Sequence, residues 1–319
     1  MPVTSTPTQQ HAAINAAVLD QLANPAMQKQ AEDNINSYTR LEMREEGCFR
    51  KILPMVDLPD SELNPQLGSA LPMKICWKQP LSPGALSIPF MGSPRSFFIR
   101  GPNYPVFFVE IAGPRHMTNI NELRVYPYDI RQLLMDESVR DIMEEEDKRF
   151  LVDGVNAALV GQEEVSPFTG VKQWRRFRGG WTRHNVIECF KIIPEGATNG
   201  STDTVLINNS TVREFQKWGR DEMGGDMSQE LIKNGKKVGQ WLEGEFLQVR
   251  WLVTIKRNLV PNGAMYMFST PDYMGKSFAL QDVTMHIKRE ANQLAYHPYE
   301  TIGSALGNVA GIARADITS

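Results

Sequence analysis

The feature that most constrains the fold is a long amphipathic helix, which the sequence predicts over residues 136–160. We place its N-cap at Asp136, a residue type that accepts hydrogen bonds from free backbone N–H groups, and its end at Gly161. The apolar residues that recur near helical spacing are Val139, Ile142, Met143, Phe150, Val155, Ala158 and Leu159. Residues 144–147 are all acidic and predict a solvated outer face. Such a helix needs a broad apolar surface to lie against, which is typical of a building block rather than a catalyst.

The composition indicates a globular protein. The chain has 319 residues, of which 41% are hydrophobic and 22% charged, so it can bury one large core or two smaller ones. A formal net charge of -3 and a pI near 6.0 argue against a strongly basic nucleic-acid-binding protein. Contact with nucleic acid is therefore expected to be secondary to another role.

The cysteines and the apolar runs indicate a soluble protein of a reducing compartment. Cys48, Cys76 and Cys189 are widely spaced and form no C-x-x-C pair, so neither a disulfide framework nor a zinc ribbon is expected. No stretch approaches the roughly eighteen apolar residues that span a bilayer, and the first ten residues lack the pattern of a secretory leader. We therefore expect no membrane association and no secretion by this route.

The region before the long helix predicts an arm followed by extended structure. Residues 9–46, rich in Ala, Gln, Asn and Glu, predict an N-terminal arm of one or two helices with a weak apolar face. Between residues 53 and 114, frequent prolines exclude helix, whereas apolar runs such as 97–99 and 106–109 favour strands. This region is too apolar for a free surface loop, so we predict an extended β-loop that packs on another molecule or on the body of the protein.

The second half predicts strands with short helices between them. Residues 174–193 predict strands, and a strand at 205–207 leads into a helix capped by Ser210 or Thr211. A short helix is predicted at 227–233. Two hairpins follow, one of 246–255 with 264–269 and one of 283–289 with 293–300. No internal repeat is evident.

The segment Gly-Lys-Ser at 275–277 follows a predicted strand, as a phosphate-binding loop would. That motif also requires a glycine at the position of Thr270, and here Pro271 lacks an N–H and Asp272 would repel a phosphate. Nucleotide binding is therefore disfavoured. An α+β enzyme or ligand-binding protein with an anion site at 270–277 stays as the alternative function.

Residues 172–184 mix cations with aromatic rings. This composition is typical of a surface that binds single-stranded nucleic acid. It also fits a strand whose arginines, Arg175, Arg176 and Arg178, pair with an acidic face such as residues 144–147 on the same or a neighbouring subunit. The negative net charge and the absence of a stacking motif favour ion pairing.

No pattern indicates catalysis, a cofactor or a metal. The four consecutive acids point in different directions on a helix, so we expect a solvated face rather than an acid–base pair. The five histidines are scattered without metal-ligand spacing, and neither G-x-S-x-G nor G-x-G-x-x-G occurs.

The order of these elements resembles a tailed-bacteriophage major capsid protein of the Hong Kong 97-type fold. The resemblance covers nearly the whole chain and rests on element order, size and the texture of residues 123–159 and 283–317. It implies an α+β major-capsid fold. The implied divisions are an N-terminal arm at 1–52, an extended β-loop region at 53–122, a peripheral domain with the long helix as its spine at 123–194 and 279–319, and an axial domain at 195–278.

The same resemblance implies a structural role without catalysis. The chain would self-assemble into hexamers and pentamers of an icosahedral head, located in the virion capsid and, during assembly, in the host cytoplasm. Implied partners are separate scaffold, portal and decoration proteins, with packaged double-stranded DNA contacted only non-specifically. Some relatives cross-link a loop lysine to a neighbouring subunit, but no lysine lies between Gln79 and Arg115, so we predict a non-covalent lattice.

Two groups of residues are candidates for contacts between subunits. They are Arg95, Phe97, Phe98 and Arg100 in the β-loop, together with Glu144, Glu145, Arg175, Arg176 and Arg178. A tail or decoration protein is a third hypothesis, which the long arm and loop make less natural.

Overall fold

The structure, a computed structural model, describes most of the chain from residue 47 onward. The described ranges are 47–63, 72–77, 87–90, 92–93, 96, 103–121, 130–165, 170–196, 200–215, 236–238, 241–246, 249–290 and 292–318. Three predictions lie outside them: the arm over 9–46, the short helix at 227–233, and the contacts at Arg95, Phe97, Phe98 and Arg100.

A six-stranded sheet contains the longest strands of the molecule. Its strands are β1 (Met55–Asp57), β2 (Met73–Trp77), β3 (Asn103–Ala112), β4 (His116–Asn119), β11 (Gly275–Glu290) and β12 (Gln293–Leu306). Their order is β1-β11-β12-β3-β2, with β4 paired further along β12. β11 and β12 form an antiparallel hairpin, which confirms the hairpin predicted at 283–300 and extends it well beyond those residues.

A seven-stranded sheet forms the second layer. Its strands are β5 (Trp174–Arg178), β6 (Thr204–Asn208), β7 (Lys236–Val238), β8 (Trp241–Phe246), β9 (Val249–Thr254), β10 (Ala264–Phe268) and β13 (Ile312–Thr318). The order is β5-β13-β10-β6-β9-β8-β7. The predicted hairpin between β9 and β10 is therefore wrong, because β6 lies between them, parallel to β9 and antiparallel to β10.

The described elements also include five α-helices, the continuation of one of them, and two short 3-10 helices at Asp60–Glu62 and Val309–Gly311. The α-helices are α1 (Cys48–Ile52), α2 (Ile130–Lys148), α3 (Arg183–Phe190), α4 (Asn209–Phe215) and α5 (Pro271–Met274). α2 continues through a π-helical segment (Arg149–Asn156) into a last α-helical turn (Ala157–Leu159), and this whole rod is called the long helix below.

The long helix lies against both sheets. Most of its buried apolar residues belong to one hydrophobic cluster with Phe49 of α1, Phe268 of β10 and Ile302 of β12. The apolar stripe predicted from the sequence is confirmed, since Val139, Ile142, Met143, Phe150, Val155 and Leu159 are buried and Ala158 is half-buried. The other face of the seven-stranded sheet is covered by α3 and α4, so strands such as β10 are buried on both sides.

The start of the long helix was predicted too late. The described part of the helix already includes Ile130, six residues before the predicted N-cap at Asp136. Its predicted end is confirmed, because the last helical turn closes at Leu159 and Gly161 has a φ of 81°. That conformation is unfavourable for residues with a Cβ, which explains a glycine there.

Two local predictions in the second half also need correction. Residues 183–190 form helix α3 rather than a strand, and Thr182 caps it by accepting a hydrogen bond from the Asn185 N–H at 3.3 Å. Helix α4 begins after Asn208, whose Oδ1 accepts from the Ser210 N–H at 2.9 Å. The side chain that caps α4 is therefore neither Ser210 nor Thr211.

The two sheets do not divide the chain at the boundaries that the resemblance implies. β5 and β13 lie outside residues 195–278, yet both pair within the seven-stranded sheet. The peripheral and axial domains therefore stay a prediction.

Candidate assembly surfaces

β2 and β3 form an antiparallel ribbon at one edge of the six-stranded sheet. The register runs from Met73 opposite Phe107 to Trp77 opposite Asn103. Side chains alternate between two faces, as strand geometry requires. One face is buried: Cys76, Val106 and Phe108 pack with Leu58 and Phe278.

The opposite face of the ribbon is apolar and open to solvent. Trp77 and Phe107 are 69% and 45% exposed. Met73, Ile75 and Pro105 share this face, because each lies opposite or two residues from these rings. We call these five residues the ribbon face. An exposed apolar surface of this kind is typical of a protein–protein interaction site.

The predicted acidic and basic contact residues are not brought together within one subunit. Glu144 is exposed, and Glu145 pairs with Lys148 at 3.0 Å. Arg175 and Arg176 pair instead with Glu195 at 2.9 Å and with Glu163 at 2.8 Å. The prediction that these arginines pair with residues 144–147 of the same subunit is wrong, and pairing between subunits stays a prediction.

Strand β5, which carries these arginines, ends the seven-stranded sheet. It pairs with β13 on one side, and Arg176 and Arg178 point outward as exposed residues. Cations on an edge strand also discourage uncontrolled pairing with other chains.

A buried ionic cluster lies between α1, the long helix and the β11–β12 hairpin. Arg50 donates through Nη2 to Glu146 at 2.8 Å and to Glu300 at 2.9 Å, and through Nη1 to Asp282 at 3.1 Å. Its Nε also donates to Glu146 at 3.0 Å. The side chains of Arg50, Glu146 and Glu300 are 4%, 0% and 0% exposed. The geometry suits an arginine, whose planar fork can serve several carboxylates at once.

Asp147 extends this cluster to the backbone of α1. Its Oδ1 accepts from the Phe49 N–H at 2.9 Å, and its Oδ2 lies 3.2 Å from Lys256 Nζ. The expected solvated face at 144–147 is therefore wrong for Glu146 and Asp147. A signal was present in the sequence, because these two residues stand four positions after Ile142 and Met143 and so continue the apolar stripe.

Burial changes the protonation of the cluster. Burial, and then the negative charge of neighbouring Glu146, raise the pKa of Glu300 well above its ordinary value of 4.5. Burial likewise raises the pKa of Glu146, although Arg50 opposes the shift. The fold therefore favours a proton on this pair of carboxyl groups.

This protonation predicts how stability depends on pH. The folded chain holds the Glu300 proton more tightly than the unfolded chain, so the stabilisation is present at low pH and is lost as the pH rises through the raised pKa. We expect Glu300→Gln to match wild type at low pH and to exceed it at high pH, the gap growing by at most about 1.4 kcal/mol per pH unit. Urea unfolding across a pH series measures this gap, and a gap that shrinks with pH would contradict the assignment.

The Gly-Lys-Ser segment does not form a phosphate-binding loop. Gly275, Lys276 and Ser277 open strand β11, and Ser277 Oγ lies 3.0 Å from the carbonyl oxygens of Leu53 and Pro54. A Cβ at Gly275 would clash with the Ala305 carbonyl oxygen, so this glycine permits close strand packing.

The described ranges contain neither a cluster of metal ligands nor a helix able to span a membrane. Within those ranges, no group of three or more His, Cys, Asp or Glu is placed to hold a metal ion. Over the same ranges, no helix is long and apolar enough to cross a membrane.

The fold is shared with solved structures of very different sequence. A structure from Mycobacterium phage Bobi aligns with a TM-score of 0.58 at 11% identity, over 85% of this chain and 90% of that one. The capsid of an empty GTA particle gives 0.56 at 11% identity over 86% and 90%. A virus-like particle from Pyrococcus furiosus gives 0.51 at 12% identity over 89% and 99%. No family model and no curated protein matches the sequence. The predicted α+β major-capsid fold is confirmed.

Proposed function

We propose that this chain is the structural subunit of an icosahedral phage head, without catalytic activity. It self-assembles into hexamers and pentamers that enclose double-stranded DNA. The observation that carries this proposal is the ribbon face, an exposed apolar surface on a two-stranded element whose other side packs in a buried hydrophobic cluster. Two of the similar structures, a GTA capsid and a virus-like particle, support the same proposal.

The ribbon face supplies affinity between copies. Two half-exposed aromatic rings bring on the order of 200 Å² of apolar surface, or about 5 kcal/mol before the cost of association, at about 25 cal/mol per Å². Each contact alone provides only modest affinity. A ring of subunits repeats it, and each added subunit joins at high effective concentration.

The remaining assignments follow from this role. The N-terminal arm is residues 1–52, the extended β-loop region 53–122, the peripheral domain 123–194 and 279–319, and the axial domain 195–278. Separate scaffold, portal and decoration proteins are the partners, and the shell is built in the host cytoplasm. Glu144, Glu145, Arg175, Arg176 and Arg178 are candidate contacts between neighbouring copies.

Assembly of the purified chain tests the proposal. We expect capsomers, tubes or shells in electron micrographs and fast-sedimenting material, alone or with a scaffold protein. Because the loop lacks lysine between Gln79 and Arg115, boiled assemblies should run as one band near 36.0 kDa on denaturing gels. A chain that stays monomeric under every assembly condition would overturn the proposal, and a ladder of cross-linked bands would refute the non-covalent lattice.

A further inference from the structure

A groove of about 300 Å³ lies on the β11–β12 hairpin, away from the ribbon face and the ionic cluster. Its lining is Arg115, His286, Lys288, Ala295 and His297. The surface that these residues expose in the groove is almost entirely apolar, so Arg115 and Lys288 line it with their methylene groups. Both cations also interact with other groups of the chain. This hairpin groove therefore fits an apolar side chain better than a charged ligand.

One wall of the hairpin groove is a fixed stack of rings. The His286 and Tyr299 rings are 4.9 Å apart at an angle of 13°, and the His297 and Tyr299 rings are 6.2 Å apart at 24°. The Tyr299 hydroxyl lies 2.6 Å from His286 Nε2 and accepts from Gln281 Nε2 at 2.9 Å. Rings held in this way lose little side-chain freedom when another ring packs against them.

The subunit cannot fill the hairpin groove with its own ribbon face. Ala112 of β3 stands opposite Tyr299 and so shares the side of the sheet that carries the groove. Phe107 lies five residues before Ala112, and side chains alternate along a strand, so the ribbon face is on the other side. Trp77 stands opposite Asn103, which is about 30 Å along β3 from Ala112. A ribbon face that meets this groove must therefore belong to another copy.

A second copy of the chain is the occupant that the proposed function requires. A ring of five or six subunits needs a head-to-tail interface, in which two different surfaces of each subunit meet. The ribbon face supplies a projecting apolar surface, because Trp77 is the more exposed of its two rings. The hairpin groove supplies a concave apolar surface on a different part of the same subunit.

We propose that the hairpin groove receives the Trp77 ring of a neighbouring copy. The indole packs on Ala295 and against the stacked rings, between the methylene groups of Arg115 and Lys288. Contact between two ribbon faces fits less well, because identical surfaces close with two copies and cannot build a ring alone. This inference rests on the proposed function, since it names the surface that the ribbon face contacts.

Filling the groove from within tests the contact. We expect Ala295→Leu to raise the concentration at which the purified chain assembles at least about tenfold, because the larger side chain takes the place of the indole. The matched control is Ala112→Leu, at an exposed alanine on the same side of the sheet and outside the lining, which should stay within about twofold of wild type. Sedimentation velocity measures assembly, and urea unfolding shows whether each variant is folded.

Cross-linking tests the same contact without filling the groove. Asn103→Cys places a thiol beside Trp77, and Met117→Cys places one beside Ala295, whereas all three native cysteines are buried. We expect a short bis-maleimide to join these two variants when they are mixed, which gives a band at twice the subunit mass. Neither variant alone should give this band, and Asn103→Cys should not join to Val160→Cys, an exposed control at the end of the long helix.

The outcomes separate this inference from the proposed function. Equal effects of the two leucine variants, or a cross-linked band from Asn103→Cys alone, would overturn the inference. Shells that form from the mixed cysteine variants without the cross-link would refute the inference and leave the proposed function standing. Cross-linked pairs from a chain that never forms shells would refute the proposed function alone, and a chain that gives neither would refute both.

Discussion

We expect Arg50→Ala to lower the free energy of unfolding by about 3–5 kcal/mol, because it leaves buried carboxylates without their cation. Arg50 serves Glu146, Glu300 and Asp282, and the first two side chains are fully buried. The matched control is Arg176→Ala. Arg176 pairs with Glu163 at the same 2.8 Å separation, but both side chains are exposed, so we expect a loss of at most about 1 kcal/mol.

Urea unfolding followed by circular dichroism measures both variants. Equal losses would show that burial does not govern the strength of the Arg50 cluster.

A further variant removes the buried charges of the cluster together. Replacing charge with apolar volume, as in Arg50→Met combined with Glu146→Leu, should recover part of the loss, because it removes a buried charge together with its partner.

We expect the double variant Trp77→Ser, Phe107→Ser to prevent assembly while the subunit stays folded. Both rings are exposed in the isolated subunit, so their loss costs the fold little. If the ribbon face contacts a neighbouring copy, each contact should weaken by about 3 kcal/mol, or roughly 100-fold. Sedimentation velocity and electron microscopy measure assembly, and urea unfolding measures the fold.

The buried face of the same ribbon provides the control for this variant. Phe108 stands beside Phe107 but is only 1% exposed, so Phe108→Ala should cost about 3–5 kcal/mol of folding stability. We therefore expect the double variant to affect assembly and Phe108→Ala to affect folding. Normal shells from the Trp77, Phe107 double variant would show that the ribbon face is not part of the interface between copies.

Features that depend on nearby residues could be predicted from the sequence. The apolar stripe of the long helix and the β11–β12 hairpin both follow from short-range periodicity and turn chemistry, and both are confirmed. The pairing of β10 with β6 could not be predicted in this way. It joins residues about sixty positions apart, and adjacency in the chain favoured β9 instead.

The candidate site likewise depends on contacts between distant segments, which local sequence patterns do not predict. Charge composition alone placed Glu146 and Asp147 in solvent, but their partners Arg50 and Lys256 come from distant segments that no local pattern links to them. The ribbon face was likewise missed as a particular set of residues. A strand was expected around Phe107, but its exposure depends on which side of the ribbon meets Leu58 and Phe278.

The ionic cluster also affects the rate at which the chain folds. Arg50 lies 96, 232 and 250 residues from its partners Glu146, Asp282 and Glu300. Loop closure costs about 0.6 kcal/mol per doubling of length, so the longest of these loops is less than about 1 kcal/mol costlier than the shortest. Such distant contacts slow folding far more than they reduce the stability of the folded state. We therefore expect α1 to be among the last elements to dock when the subunit refolds.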